Sequence, residues 1–188
     1  MKFLKYLLPF LAFNAMATQV QVTLNTEGFN ALKLKNTTVK FESTNPACSR
    51  LIVGPLGLPL IVKKIENTSS SIRAINDKAV LVEFNTEYTG NDFCLYRFVS
   101  ASVVFDNSNW LSLTSTEGNE SAQNASQLDL FKNEGARFEA SCLKTRCKRS
   151  VNGRNIDSST NNLVEFYLNG KTLKEASSLQ SEISISFK

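Results

Sequence analysis

The stretch Asp92–Asp106, DFCLYRFVSASVVFD, decides the fold class. In an extended chain, side chains alternate between two faces. Phe93, Leu95, Val99, Ala101, Val103 and Phe105 then share one face, broken by Arg97, while Cys94, Tyr96, Phe98, Ser100, Ser102 and Val104 share the other. At helical spacing the same apolar residues would circle the whole helix, and the β-branched and aromatic content favours a strand. The reading predicts a long strand with its first face in a core and its second partly covered. Ala79–Tyr88 (AVLVEFNTEY) reads as its hairpin partner, joined through Thr89-Gly-Asn-Asp92, whose residues suit a turn.

The same period runs outward in both directions. Val20, Val22 and Leu24 alternate within Thr18–Leu24, and Leu32, Leu34, Val39 and Phe41 continue the pattern, with a bulge or turn expected around Asn36–Thr38. Ser43–Ala47 reads as a loop that delivers Cys48. Leu51–Val53 and Leu60–Val62 flank Gly54-Pro-Leu-Gly-Leu-Pro59, and the prolines forbid a central strand there. Such an apolar loop can enter a partner or a membrane surface; the reading favours a core crossover under a sandwich end. Glu66–Ser71 reads as a polar connector. Thr114–Gln127 reads as a long polar loop, expected to be disordered or functional.

Trp110–Leu113, Leu128–Phe131, Arg137–Leu143, Leu163–Leu168 and Glu182–Phe187 read as further strands. Asn152-Gly153 and Asn169-Gly170 read as turns, and Thr172–Glu175 as the capping box of a short helix. Nine or ten short strands predict an all-β antiparallel β-sandwich of immunoglobulin-like or jelly-roll type, with a closed barrel as the alternative.

Residues 1–17, MKFLKYLLPFLAFNAMA, combine Lys2 and Lys5, an apolar run and a small-x-small end. That is the pattern of a secretory leader, too short to span a bilayer. The expectation is one sandwich domain over 18–188, exported to a periplasm or the cell exterior. Losing the two leader lysines takes the net charge from +4 to +2, which is too little for specific nucleic-acid binding to be expected. Cys48, Cys94, Cys142 and Cys147 read as two disulfides in an exported chain. Pairing Cys48 with Cys94 and Cys142 with Cys147 keeps each bond within one half of the chain. Loop entropy assigns ~4 kcal/mol to the long loop and ~2 kcal/mol to the short one.

The chain has no histidine. The commonest general base and metal ligand is therefore missing, and Ser-His-Asp and Cys-His chemistry cannot operate within one chain. One CxxxxC without histidine does not make a zinc site, so no metal or cofactor is expected. No Walker, GxGxxG or EF-hand pattern occurs. Glu83, Glu87, Asp92 and Asp106, on or beside the central hairpin, are the least implausible candidates for a paired-carboxylate hydrolase. The four sequons at Asn36, Asn67, Asn119 and Asn124 matter only in a eukaryotic secretory pathway.

One local feature carries charge without acids. Cys142–Arg154, CLKTRCKRSVNGR, holds Lys144, Arg146, Lys148, Arg149 and Arg154. Pinched by a disulfide, such a tip suits sulfated or phosphorylated glycans, lipid headgroups or nucleic acid, and the partner expected for the chain is a glycan, an anionic lipid headgroup or a protein. The leading expectation is an exported, non-catalytic binding protein that recognises an anionic or glycan partner through loops. In its alternating N-terminal strand the chain resembles chaperone–usher pilin subunits, which implies a surface-assembly subunit joined by strand addition. It departs from them in Phe187, where those subunits often carry a penultimate tyrosine, in its basic last residue and in its second disulfide.

Overall fold

The computed structural model describes residues 18–28, 34, 36–105, 109–117, 125–132, 135–144, 146–159 and 162–188. The leader lies outside them, as do Leu32, Asp106, Asn119 and Asn124. In chain order the elements are β1 (Gln19–Glu27), β2 (Asn36–Ser43), β3 (Ser49–Val53), β4 (Pro59–Lys63), β5 (Ile65–Thr68), β6 (Ser71–Asn76), β7 (Ala79–Asn85) and β8 (Glu87–Thr89). They continue with β9 (Leu95–Val104), β10 (Trp110–Ser115), β11 (Phe138–Leu143), β12 (Arg146–Val151), β13 (Arg154–Ser159), β14 (Leu163–Leu168), α1 (Gly170–Glu175) and β15 (Ser178–Phe187).

Two sheets pack face to face over one core. The first runs β13-β12-β11-β15-β1-β7-β6, and the second runs β14-β10-β9-β2-β5 with β8 paired to β9. The two-stranded ribbon β3-β4 belongs to neither sheet. The all-β sandwich is present, without a closed barrel among the described residues. Three pairings run parallel: β1 with β15, β11 with β15, and β10 with β14. Hairpin logic cannot foresee those pairings, because each joins strands far apart in sequence.

The Asp92–Asp106 reading is half right. β9 is a long strand, but its inner face is Tyr96, Phe98, Ala101 and Val103, continued by Phe105. β2 pairs Lys40 with Ser100 and Phe41 with Phe98, which leaves Val99 without an opposite residue. This β-bulge flips the side-chain parity. It joins the aromatic start of one predicted face to the apolar end of the other. Leu95 and Phe93 are left exposed, Phe93 at 91% on a turn where its φ is 60°.

The predicted hairpin partner splits in the same way. β7 pairs with β1 and β6 in the first sheet, and only β8 pairs with β9 in the second. Thr86 is the crossing point. It is buried, donates its N–H to Thr18 O at 3.0 Å and accepts from Phe98 N–H at 2.7 Å. Phe84 stacks on Phe98 across the same gap, with ring centroids 4.8 Å apart. Phe105 meets Phe187 at 5.0 Å toward the other end.

Four smaller expectations are corrected. Of the polar connector expected over Glu66–Ser71 only Ser69 and Ser70 remain, since Glu66–Thr68 belongs to β5 and Ser71 opens β6. The β2 bulge falls opposite Lys40 and Phe41 rather than around Asn36–Thr38. Leu128–Phe131 is no strand, although Leu128 and Leu130 are buried and backbone bonds tie them to Tyr167 on the β14 edge. Asn169, not Thr172, caps α1, its Oδ1 accepting from Lys171 N–H at 2.9 Å.

β1 lies between β15 and β7, and its Val20, Val22 and Leu24 are fully buried. Leu24→Ala should therefore lower the unfolding free energy by about 2–5 kcal/mol, read by urea denaturation. A loss below about 1 kcal/mol would contradict the central placement of β1.

Candidate functional site

β2 and β5 form a hairpin, and everything between them, residues 44–64, is its loop. Ser43 N–H donates to Lys64 O at 2.9 Å, and Lys64 N–H donates back to Ser43 Oγ at 3.0 Å. These two bonds pinch the base. A 3-10 turn over Pro46–Cys48, capped by Asn45, delivers Cys48 to its disulfide with Cys94. The loop then rises as the β3-β4 ribbon, with Leu51 opposite Ile61, Ile52 opposite Leu60 and Val53 opposite Pro59.

The ribbon is apolar on both faces and at its tip. Leu51 is 69% exposed, Val53 80% and Ile61 76%, while Ile52 and Leu60 on the opposite face are about two-fifths exposed. Leu56 at the tip is 96% exposed and has a left-handed φ of 67°. A leucine there costs ~1–2 kcal/mol of backbone strain. Gly54 N–H bonded to Leu58 O at 2.8 Å closes the turn that holds it. The expected core crossover is thus a projecting element. Composition identified it as apolar, but the covering residues were never encoded nearby. Each large apolar side chain gains ~1.5–3 kcal/mol on leaving water, so these residues together can offset the cost of association.

Charge gathers at the ribbon base. Arg50 is exposed. Lys63 pairs with Glu42 at 3.0 Å, and Lys64 with Glu66 at 3.1 Å and Asp92 at 2.6 Å. Tyr96 Oη donates to Asp92 Oδ2 at 2.9 Å. The Lys64 hydrogen bond, with smaller help from Tyr96 and the Cys94 N–H, holds the Asp92 carboxyl down at about 2.

The predicted basic tip lies elsewhere and loses a member. Cys142 and Cys147 are cross-strand neighbours in β11 and β12 and are joined by a disulfide. Both predicted disulfide pairings are therefore present. Cys147 points inward, so Arg149 two residues on does the same. Its Nε donates to Asp157 Oδ1 at 2.8 Å, its Nη2 lies 2.5 Å from Asp157 Oδ2, and its Nη1 donates to Glu165 O on the opposite sheet. Arg149 is a tie between the sheets, not a free cation. Strand parity counted from Cys147 was the signal that could have found this.

Lys144, Arg146, Lys148 and Arg154 stay exposed. Lys188 joins them, its N–H bonded to Cys142 O at 2.9 Å. Lys148 and Lys188 border a groove of about 1020 Å³ on the outer sheet face, lined also by Ser141, Ser186 and Asn155.

The ribbon and the basic corner sit at opposite ends. Gln19 lies beside Ser178 and Asn85, one residue from the Thr86 crossing that adjoins the start of β9. Glu27 lies beside Ser186, which pairs with Ser141 next to Cys142. The nine residues of β1 at ~3.3 Å each separate the two ends by about 30 Å.

Three of the candidate hydrolase acids are partnered separately. Glu83 is on β7 and accepts from Gln21 Nε2 at 2.7 Å, Glu87 is on β8 of the other sheet and faces Arg97, and Asp92 lies on the turn before β9 and pairs with Lys64. Among the described residues no group of three metal-ligating side chains forms, and no helix is long and apolar enough to cross a membrane. The two disulfides point to an oxidising compartment. No family model, curated protein or solved structure matches the chain.

Folding lowers the Asp92 pKa, so the carboxylate form is the stabilising one. Its contribution is complete above the ordinary value of 3.8 and is lost as the pH falls through about 2. The unfolding midpoints of the wild type and Asp92→Asn should differ at neutral pH and converge toward about pH 2. A difference that persists unchanged in acid would contradict the Lys64–Asp92 assignment.

Proposed function

We propose that the chain is an exported, non-catalytic interaction protein whose docking element is the β3-β4 ribbon. One observation carries the reading: a two-stranded ribbon apolar on both faces, held clear of both sheets by a disulfide and a clamped base. Exposed apolar clusters of this kind mark interaction sites on folded proteins. The leader pattern and the two disulfides support export. The missing histidine and the separately partnered acids support a non-catalytic role.

The triple variant Leu51→Asp/Val53→Asp/Ile61→Asp tests the reading in the source cells. The wild type should sediment with a larger particle or with membranes, and the variant should run as free folded chain, with its near-UV circular dichroism unchanged. Identical sedimentation of the two would remove the ribbon as the docking element.

The basic corner favours a second contact, with an anionic partner such as a sulfated or phosphorylated glycan. Its support is the disulfide-pinned hairpin carrying Lys144, Arg146 and Lys148, with Lys188 beside it. Pinning the loop lowers the ordering cost of binding. Lys144→Ser/Arg146→Ser/Lys148→Ser should weaken binding to a sulfated glycan at least tenfold and flatten its salt dependence. Arg149→Ala should leave that binding intact while destabilising the fold by about 3–5 kcal/mol. Unchanged affinity in the triple variant would reduce the corner to a solvated hairpin. Assembly by strand addition would need an edge strand such as β6 or β13, since both edges of β1 are paired.

A further inference from the structure

Resting on the ribbon as docking element, we propose that its occupant is the interfacial layer of a lipid bilayer, entered tip first with Arg50 and Lys63 at headgroup depth. Leu51 to Val62 carries no polar side chain, and Arg50 and Lys63 stand at its two ends. In the ribbon, Ser49 pairs with Lys63 and Arg50 with Val62, so the two cations stand one residue step apart at the base, one on each face. Arg50 directly behind an apolar tip, with Lys63 beside it held 3.0 Å from Glu42, matches the order of phosphate and acyl chain across a lipid surface.

The second argument is the two-sidedness. Leu51, Val53 and Ile61 face one way, and Ile52 and Leu60 the other. A second copy or a flat protein surface laid on the ribbon covers one face and leaves the other in water. A fluid acyl environment surrounds both faces at once. Leu56, 96% exposed in the turn between the two strands, stands at the leading end.

Backbone chemistry then limits the depth. Among the described residues the outer edges of β3 and β4 pair with no other strand, and open edges do not occur within the hydrocarbon core. Pro55 and Pro59 remove two N–H donors from the apical part, so this is the part that enters most cheaply. The five-residue strands at ~3.3 Å per residue reach about 17 Å. That is enough for the tip to sit ~5–10 Å into the headgroup and acyl boundary while the sandwich stays outside. Phe93, exposed on the turn that carries Cys94, adds an aromatic side chain next to the ribbon base.

The test uses protein exported and processed from its own leader, with vesicles of phosphatidylcholine alone and of phosphatidylcholine with one-third phosphatidylglycerol. Wild type should co-sediment with both and more strongly with the anionic vesicles. Leu56→Trp should blue-shift on binding and be quenched by brominated lipid, whereas Trp110 of the wild type, on β10, should not be. Leu56→Asp/Leu58→Asp should lower partitioning at least tenfold, and Arg73→Ser, an exposed cation on β6, should leave it intact. Absence of wild-type partitioning, or partitioning indifferent to the aspartates, overturns the lipid assignment. If vesicles are ignored but wild type self-associates and the aspartate variant is monomeric, the occupant is a second copy and the docking reading survives. If the chain ignores vesicles and stays monomeric, and the triple aspartate variant sediments as wild type does in the source cells, both readings fall.

Discussion

The pairing of the first strand with the last holds this molecule together. β1 and β15 run parallel along nine residue pairs from Gln19–Ser178 to Glu27–Ser186, and they form the middle of the larger sheet. A parallel pair needs a crossover, and here the crossover is nearly the whole chain. The core of that sheet therefore closes only when both ends are present. Val20, Val22 and Leu24 on one side and Ile183 and Ile185 on the other are buried together. Contacts of such separation make folding slow. They also fix the orientation of everything carried by the strands, because a one-residue slip of β1 would turn its apolar set outward.

From that centre the two hairpin elements diverge by chemistry. Each is braced by a disulfide, yet they use it differently. Cys142–Cys147 joins neighbours already in register on β11 and β12 and points into the core. It stiffens a tip whose outer side chains are cationic, while Arg149 on the same strand is spent on Asp157 and the Glu165 carbonyl. Cys48–Cys94 instead ties an excursion between β2 and β5 to the entry of β9. Without it the ribbon would hang on the Ser43–Lys64 bonds and a few ion pairs.

The strands with an unbroken register and one buried face were legible from alternation alone: β1, β10, β14 and the Glu182–Phe187 part of β15. The disulfide pairing was legible because the cysteines divide the chain into halves. What escaped had a common cause, namely that it depends on a partner distant in sequence. The Val99 bulge exists because β2 skips that residue, and nothing in DFCLYRFVSASVVFD announces the skip. The crossing at Thr86 turned one apparent hairpin into two strands of different sheets. Arg149 was read with its charged neighbours because composition has no direction, whereas strand parity does. The ribbon was visible as an apolar run, but burial is decided by what lies over a segment, and none of the described residues covers this one.

An isolated two-stranded hairpin is at best marginal in water, and this one also exposes apolar surface. Its persistence as a defined ribbon therefore has to come from its base. The disulfide, the paired Ser43–Lys64 bonds and the Lys64–Asp92–Tyr96 cluster supply that base without touching the apical residues. The conformational entropy of the ribbon is thus lost on folding rather than on docking, so less of the apolar gain is consumed at the moment of contact. The left-handed Leu56 fits the same logic. The turn accepts local strain and in return presents a large apolar side chain, 96% exposed, at the ribbon's tip.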